Sequence, residues 1–207
     1  METTTKRDLI LDAFRDLLVN DDIQHISVSK IAKQAGIGKG SIYYYFSSKD
    51  EILDALIKRT YKDALDMARE LIEQTDESIY NRIARITNTC ISATHEFLKR
   101  SEDRKNTDDG HERMYDSALI HQKFMNYVIV DFKEIYAKII QQEIDRGNIH
   151  FDSAEALAEI LLIVFTVKID NILSPSTEEE TARTLQALIT LLERGTGNVD
   201  GAFGIKI

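Results

Sequence analysis

Tryptophan is absent from this chain of 207 residues, cysteine occurs once, at Cys90, and proline once, at Pro175. With one proline and nine glycines, long stretches contain nothing that stops a helix, which disfavours a turn-rich β architecture and predicts an all-α fold. A single thiol excludes an intramolecular disulfide and gives no sign of an oxidising compartment. Long apolar runs are also missing. The most apolar segment, Leu157 to Val167, is followed by Lys168 and Asp170 and falls well short of the ~20 residues that span a bilayer, so it is expected in a core. Met1 to Asp8 mixes charges with threonines, without the apolar stretch of a secretory signal. No membrane association is expected, and the cytoplasm is the expected location.

Acidic residues are missing from one short region. The chain carries a net charge of −9, which as a whole would repel a polyanion. Between Ile23 and Lys49, however, there is no Asp or Glu, while Lys30, Lys33, Lys39 and Lys49 are all cationic. Residues 1–47 balance six Lys/Arg against six Asp/Glu, so the entire −9 lies in residues 48–207. Such asymmetry suits a small segment that meets a polyanion and a larger body that does something else.

The hydrophobic residues that are present, 43% of the chain, recur at helical spacing. Leu9, Ile10, Ala13, Phe14, Leu17 and Leu18 predict a first amphipathic helix over about 5–20. Ser27 is a suitable N-cap for a short helix carrying Ile31, Ala32 and Ala35, and Gly36 can adopt the left-handed conformation that ends it. A third short helix runs to about Phe46, with Ile42 and Phe46 facing inward; Tyr43, Tyr44 and Tyr45 cannot all share that face. Ser48 with Glu51 reads as a capping box for one helix to about Ile72. Further helices are expected over about 77–99, 117–146, 153–173 (capped by Asp152 with Glu155) and 177–194 (capped by Thr177 with Glu180). Ser101 to Gly110 reads as a loop or short helix, and Gly195 to Ile207 as a loose tail.

Three short helices with a four-residue turn between the second and third describe a helix-turn-helix, whose last helix enters the DNA major groove. From Ser27 to Leu53 the sequence reads SVSKIAKQAGIGKGSIYYYFSSKDEIL, which closely resembles the TetR family of bacterial regulators. That family's pattern has a Thr or Ser opening, Ile-Ala, Ala-Gly-Val-Ser, a small residue, Leu-Tyr, an aromatic or His, Tyr-Phe, then Ser-Lys-Glu-Leu. The resemblance covers about residues 6–60. It implies about nine helices: a three-helix DNA-binding domain over 1–50, followed by a helical ligand-binding and dimerisation domain over 51–207. Two departures stand out. Asp22 occupies the place of a usual Gly, and Gly38 replaces the commoner Ser, removing a hydroxyl that could cap the helix or bond a phosphate.

Carried over by position, the resemblance implies DNA contacts at Ser27, Ser29, Lys39, Gly40, Ser41, Tyr43, Tyr44, Tyr45 and Lys49. The chemistry agrees. Ser27 and Ser29 open a helix whose free amides and hydroxyls suit a phosphate. Lys39 can donate to guanine O6 or N7, and Gly40 permits close backbone approach. The tyrosines combine a flat apolar surface with a hydroxyl, while Lys49 resembles the family's backbone-clamping lysine. Lys30 and Lys33 read more simply as a solvated face. The third helix contains no Arg, Asn or Gln, so specificity is expected to lean on DNA shape and phosphate register.

In the body, residues 153–173 are apolar nearly all round and must be covered on both sides. The resemblance implies a homodimer through the last two helices, about 153–173 and 177–194, and hence a palindromic operator on double-stranded DNA. It also implies a pocket for an unidentified small-molecule inducer. Candidate lining residues are Thr87, Cys90, Thr94, Met114, Tyr115, His121, Phe124, Met125, Tyr127, Val128 and Phe165, whose sulfurs, rings and occasional polar groups suit a mid-sized apolar ligand. Release of DNA by that ligand is expected to be transmitted through the fourth helix.

Catalysis is not expected. Cys90 and His95 lie five apart and do not share a helix face, and His111-Glu112-Arg113-Met114-Tyr115 lacks the second His of a zinc-protease motif. No metal site or cofactor is expected. The alternative to a sensor is a DNA-binding structural or protein-interaction module of the same fold without an inducer.

Overall fold

The computed structural model describes residues 5–18, 21, 23–102, 118–170 and 174–195. Among these the regular structure is helical throughout: α1 (Lys6–Leu18), a 3-10 turn (Ile23–His25), α2 (Val28–Gln34), α3 (Lys39–Tyr45), α4 (Lys49–Thr60), α5 (Lys62–Glu73), α6 (Ile79–Glu102), α7 (Ala118–Asp145), α8 (Ala154–Asp170) and α9 (Glu178–Gly195). Asp22, Met114, Tyr115, most of the stretch read as a loop after Ser101, and the carboxy-terminal tail beyond Gly195 lie outside the described residues. Two compact units are present, one comprising Met1–Thr60 with His95–Lys123, the other Tyr61–Thr94 with Phe124–Ile207.

The first unit is built on α1. The Asp8 amide donates to the Thr5 hydroxyl and the Thr5 amide to the Asp8 carboxylate, each at 3.1 Å, a reciprocal cap that satisfies two orphan donors. These bonds hold the Asp8 carboxyl below the ordinary range. Ile10, Leu11, Phe14 and Leu18 are fully buried, and α1 packs against both α2 and α4. Ile31, Ile42, Ile52 and Leu53 are equally inaccessible; each such side chain contributes about 1.5–3 kcal/mol on leaving water. Arg59 Nη2 reaches Asp12 at 3.0 Å, tying the end of α4 to α1.

The helix expected to run from Ser48 to Ile72 is instead two helices, parted at Tyr61. No proline or glycine causes this. The Thr60 hydroxyl bonds back to the Leu56 carbonyl at 3.1 Å, which loosens the ladder at that turn, and Tyr61 takes φ −97°, ψ 6° as the N-cap of α5. Two caps also differ from expectation. Ser153, rather than Asp152, accepts the Ala156 amide and starts α8. Glu51 reaches back one residue beyond Ser48, accepting from the Ser47 amide and hydroxyl at 2.7 and 2.8 Å, while Ser48 Oγ accepts the Glu51 amide. Thr177 and Glu180 form the expected reciprocal box.

Within the second unit, Arg82 is wholly buried. Its guanidinium donates to Glu143 and Gln142, each at 2.9 Å, and to the Leu71 carbonyl at 3.3 Å. Gln142 in turn donates to the Ile72 carbonyl at 3.0 Å. The last carbonyls of α5, which have no partner within their own helix, are thus satisfied by α6 and α7. Glu143 also accepts from Arg146 and Asn148. Gly147, at φ +74°, ends α7: its amide bonds Ile144 and the Asn148 amide bonds Glu143, each at 2.9 Å, a Schellman arrangement open to glycine at no steric cost. α8 packs against α9.

Candidate nucleic-acid interface and ligand cluster

The turn between α2 and α3 is set by Gly36 at φ +67°. Its amide bonds Lys33 and the Ile37 amide bonds Ala32, at 3.2 and 3.0 Å, closing α2 with the same Schellman geometry and sending the chain into α3. Gly38 is the N-cap of α3 and makes no side-chain bond there, as its lack of a hydroxyl requires. The helix is then oriented by Ile42 and Phe46, 1% and 3% exposed, one turn apart on the inner face.

That anchoring turns the other residues outward. Lys39 and Gly40 are exposed and Ser41 is half-buried, and a methyl group placed on Gly40 would meet no protein atom within 4 Å. Tyr43 and Tyr44 stand 51% and 83% exposed, an unusual position for two phenol rings. Tyr45 is half-buried and lies edge-on to Tyr44 at 5.0 Å. Ser27 and Ser29 are exposed at the start of α2, where Ser27 Oγ accepts the Lys30 amide at 3.2 Å. Lys30 is paired with Asp21 at 2.7 Å. The structure therefore gathers the nine residues expected to meet DNA onto α2, α3 and the start of α4.

Lys49 is half-buried, and its ammonium donates to the Ile23 carbonyl at 2.5 Å. One cation near this region escaped the sequence reading: the Arg7 guanidinium sits over the Phe46 ring, 5.3 Å from its centre, a contact between residues far apart in the chain. Next to it, the amide and hydroxyl of Ser47 hold the Glu51 carboxyl below the ordinary range. Also in the first unit, Lys123 bridges Asp50 and Asp54 of α4 at 3.1 and 2.7 Å.

The second unit contains most of the residues expected to meet a ligand. Thr87, Phe124, Tyr127, Val128 and Phe165 are buried, and Cys90, Thr94 and Met125 are half-buried. The Thr87 and Tyr136 hydroxyls share a hydrogen bond of 2.9 Å. The Thr94 hydroxyl donates to the Cys90 carbonyl at 2.9 Å and pairs with the Tyr61 hydroxyl at 2.7 Å. The Tyr61 ring meets Phe124 edge-on and stacks on Tyr127, both at 5.8 Å. Burial pushes up the phenols of Tyr136 and Tyr127, the latter aided by the Asp131 charge. Burial likewise raises the Cys90 thiol to about 12. His121 is buried and belongs to the first unit. Tyr61 and Tyr136 were missed, although each continues an apolar helical stripe in the sequence.

A separate cleft of about 420 Å³ opens among Glu77, Ser78, Tyr80, Glu143, Arg146 and Asn148. Two of its carboxylates are engaged, Glu143 as described and Glu77 by Arg85 at 2.6 Å. Among the described residues no cluster of His, Cys, Asp and Glu could hold a metal ion, and no helix is long and apolar enough to cross a membrane.

Residues 10–56, which span the interface just described, match the family model for bacterial regulatory proteins of the tetR family. Over those residues the chain is similar to regulators of the TetR family. The fatty acid metabolism regulator of Bacillus subtilis is 37% identical to this chain over 65 residues, 31% of the chain and 34% of that protein. The chain therefore matches only about a third of that relative's length. The nucleoid occlusion factor SlmA of Actinobacillus pleuropneumoniae is 26% identical over 162 residues, 74% of the chain and 73% of that protein. Beyond residues 10–56, the fold is similar to that of a solved FadR regulator from Bacillus subtilis in complex with stearoyl-CoA. That structure aligns with a TM-score of 0.61 and 21% identity over 90% of this chain and 97% of the other.

Proposed function

We propose that this regulator is a repressor that binds a palindromic DNA operator as a homodimer and is released by a small-molecule inducer with a long apolar portion, of the acyl-CoA kind. The observation that carries the DNA half is the outward display of Tyr43 and Tyr44 beside Lys39 and Gly40, on a helix locked by Ile42 and Phe46. Aromatic surface left in water has no folding rationale; against a duplex it meets sugar, phosphate and thymine methyl groups. Ser27, Ser29 and Lys49 flank this surface and serve phosphates.

The dimer is supported by a stripe that the chain leaves uncovered. Ile160 and Ile163 of α8 are 45% and 42% exposed, and Leu191 of α9 is 70% exposed. Pairing α8 and α9 with a second copy would cover them and set two α3 helices on major grooves ~34–36 Å apart or a multiple of that. The ligand half rests on the cluster of Thr87, Cys90, Thr94, Phe124, Tyr127 and Phe165 and on the stearoyl-CoA complex of the FadR neighbour. Rings, sulfur and a few hydroxyls suit an acyl chain bearing one polar group.

Selection of duplexes from a random pool, followed by gel retardation at several salt concentrations with and without stearoyl-CoA, tests the reading. Enrichment of a two-fold-symmetric site, salt-sensitive retardation and its loss on adding stearoyl-CoA are expected. Failure to enrich any duplex would refute it. The SlmA relative, matching along three-quarters of the chain, favours a second reading, a DNA-bound module that acts through a protein partner. Retardation indifferent to stearoyl-CoA and to a broad small-molecule screen would select that reading.

A further inference from the structure

Two pairs of hydroxyls meet inside the second unit, and they differ in where their protons go. In the first, the Tyr61 hydroxyl lies 2.7 Å from Thr94 Oγ1, and the Thr94 proton is directed at the Cys90 carbonyl at 2.9 Å. Tyr61 therefore donates to Thr94, and both protons are placed. In the second, the Thr87 and Tyr136 hydroxyls of α6 and α7 lie 2.9 Å apart, their side chains 5% and 2% exposed. Among the described residues neither hydroxyl has a further hydrogen-bond partner.

Each hydroxyl carries one proton. One bond joins Thr87 to Tyr136, so one O–H is left over whichever of the two donates. A threonine within a helix can direct its proton to the carbonyl four residues earlier, as Thr89 does to Arg85 and Thr94 to Cys90. Thr87 makes no such bond to Ile83. A buried donor with no acceptor costs stability, and folded proteins retain few of them. Thr87, Cys90 and Thr94 are spaced three and seven residues along α6 and share one face of that helix. The surplus O–H thus stands on the same face as the residues assigned to the ligand cluster.

We propose that the Thr87–Tyr136 pair is the polar anchor of that cluster, and that its surplus O–H donates to a neutral carbonyl oxygen of the bound molecule. This rests on the ligand-binding reading above and names the atom by which the ligand is held. A carbonyl brings an acceptor and no proton of its own, so it satisfies the surplus donor. A carboxylate fits less well. Arg82 is the one buried Lys or Arg among the described residues of this unit, and it is already matched by Glu143 at 2.9 Å, so a second buried carboxylate would lack a counter-charge. Burial also raises the Tyr136 phenol and the Cys90 thiol, the mark of surroundings that disfavour negative charge. The group held at this point is an uncharged thioester, ester or ketone on an otherwise apolar segment.

The test uses probes that differ only in the carbonyl, titrated into the full chain by calorimetry. Stearoyl-CoA is set against S-octadecyl-CoA, a thioether without the oxygen, and acetophenone against α-methylstyrene, in which a methylene replaces it. Thr87→Val combined with Tyr136→Phe removes both hydroxyls at nearly constant shape and strands neither partner. Thr94→Val, in the other pair, is the control. The parental protein and Thr94→Val should bind the carbonyl member of a probe pair about fivefold or more tighter than its mate, and the double variant should lose that preference. Absence of the preference in the parental protein, its survival in the double variant, or its loss with Thr94→Val alone would overturn the proposal. Infrared spectra of bound acetophenone decide the matter even where the double variant fails to fold. The carbonyl band should lie below its position in hexane, and an unshifted band would overturn the assignment. Binding of acetophenone with a lowered band but no binding of stearoyl-CoA would sink the acyl-CoA reading and support the anchor. Binding of none of the four probes would sink both.

Discussion

The ammonium of Lys49 is fastened to the backbone carbonyl of Ile23, 2.5 Å away and 26 residues earlier in the chain. A lysine that the sequence marks for a phosphate is thus also a brace between the 3-10 turn and the start of α4. The two roles are compatible, because an ammonium has three donors and one is used here. Lys49→Gln should lower the stability of the protein by about 1 kcal/mol through the lost charged hydrogen bond. If a second donor reaches the DNA backbone, the slope of log K against log salt should also fall by about 0.9 for each lysine lost. An unchanged slope with reduced stability would show that the brace is its whole role.

Gly40 offers a substitution in which folding and binding should move in opposite directions. A methyl group there meets no protein atom, and the position is helical, so Gly40→Ala should stabilise α3 by about 0.5–1 kcal/mol. The same methyl would intrude where a duplex approaches the helix. Thermal denaturation is expected to rise slightly while DNA affinity drops. A variant that binds DNA as tightly as the parental chain would place the contact surface elsewhere on the helix.

The amino-terminal helix-turn-helix was readable because its signals are local. Ser27, Gly36 and the Ile42–Phe46 pair act over three or four residues, and such spacing specifies caps, turns and inner faces directly. What escaped depends on contacts distant in sequence. Arg7 over Phe46 and Lys49 on Ile23 cannot be seen from periodicity. The break at Tyr61 carries no proline or glycine, and only a threonine hydroxyl bonding its own helix and the anchoring of one ring reveal it. Arg82 sits on an otherwise apolar helical stripe and reads as an ordinary surface cation until α7 supplies Glu143 and Gln142, sixty residues away. The body cluster was legible as apolar composition, yet composition could not separate His121, which joins the first unit, from Phe124, which joins the second.

The Arg82–Glu143 pair predicts strong non-additivity. Both groups are buried, and Arg82 also serves Leu71 and Gln142. Arg82→Met leaves a buried carboxylate facing fewer cations and should cost about 3–5 kcal/mol. Replacing both, Arg82→Met with Glu143→Leu, should cost clearly less than the sum of the single changes, because no charge is then stranded. Urea denaturation followed by circular dichroism measures this. Strict additivity would mean that the pair contributes little beyond its separate contacts.

Cys90 predicts a pH dependence. Burial raises its pKa from 9.0 to about 12, so the folded state favours the neutral thiol. Between about pH 9 and pH 12 the unfolded chain gives up its proton while the folded chain keeps it, and stability falls as pH rises through that window. At pH 8 the folded thiol is therefore held protonated. Labelling by a disulfide reagent at pH 8 should therefore be slow in native protein and fast once urea unfolds it. Rapid native labelling would contradict the raised pKa of this thiol.

The exposed stripe on α8 and α9 yields the test of assembly. Ile160 and Ile163 lie one turn apart, and Leu191 occupies the neighbouring helix packed against α8. Leu185, Ile189 and Leu192, also on α9, are already buried within the chain, so Leu191 contributes nothing to the described core. Leu191→Glu should therefore leave the melting temperature of an isolated chain nearly unaltered, because the side chain starts in water. In a dimer the same change would place a carboxylate in an apolar seam, where an uncompensated charge costs several kcal/mol. Sedimentation at micromolar concentration should shift from dimer to monomer with Leu191→Glu, and again with Ile163→Glu. DNA affinity should fall in step, because a lone head loses the second half-site. A parental protein that sediments as a monomer, or Glu variants that remain dimeric, would move the interface away from these two helices.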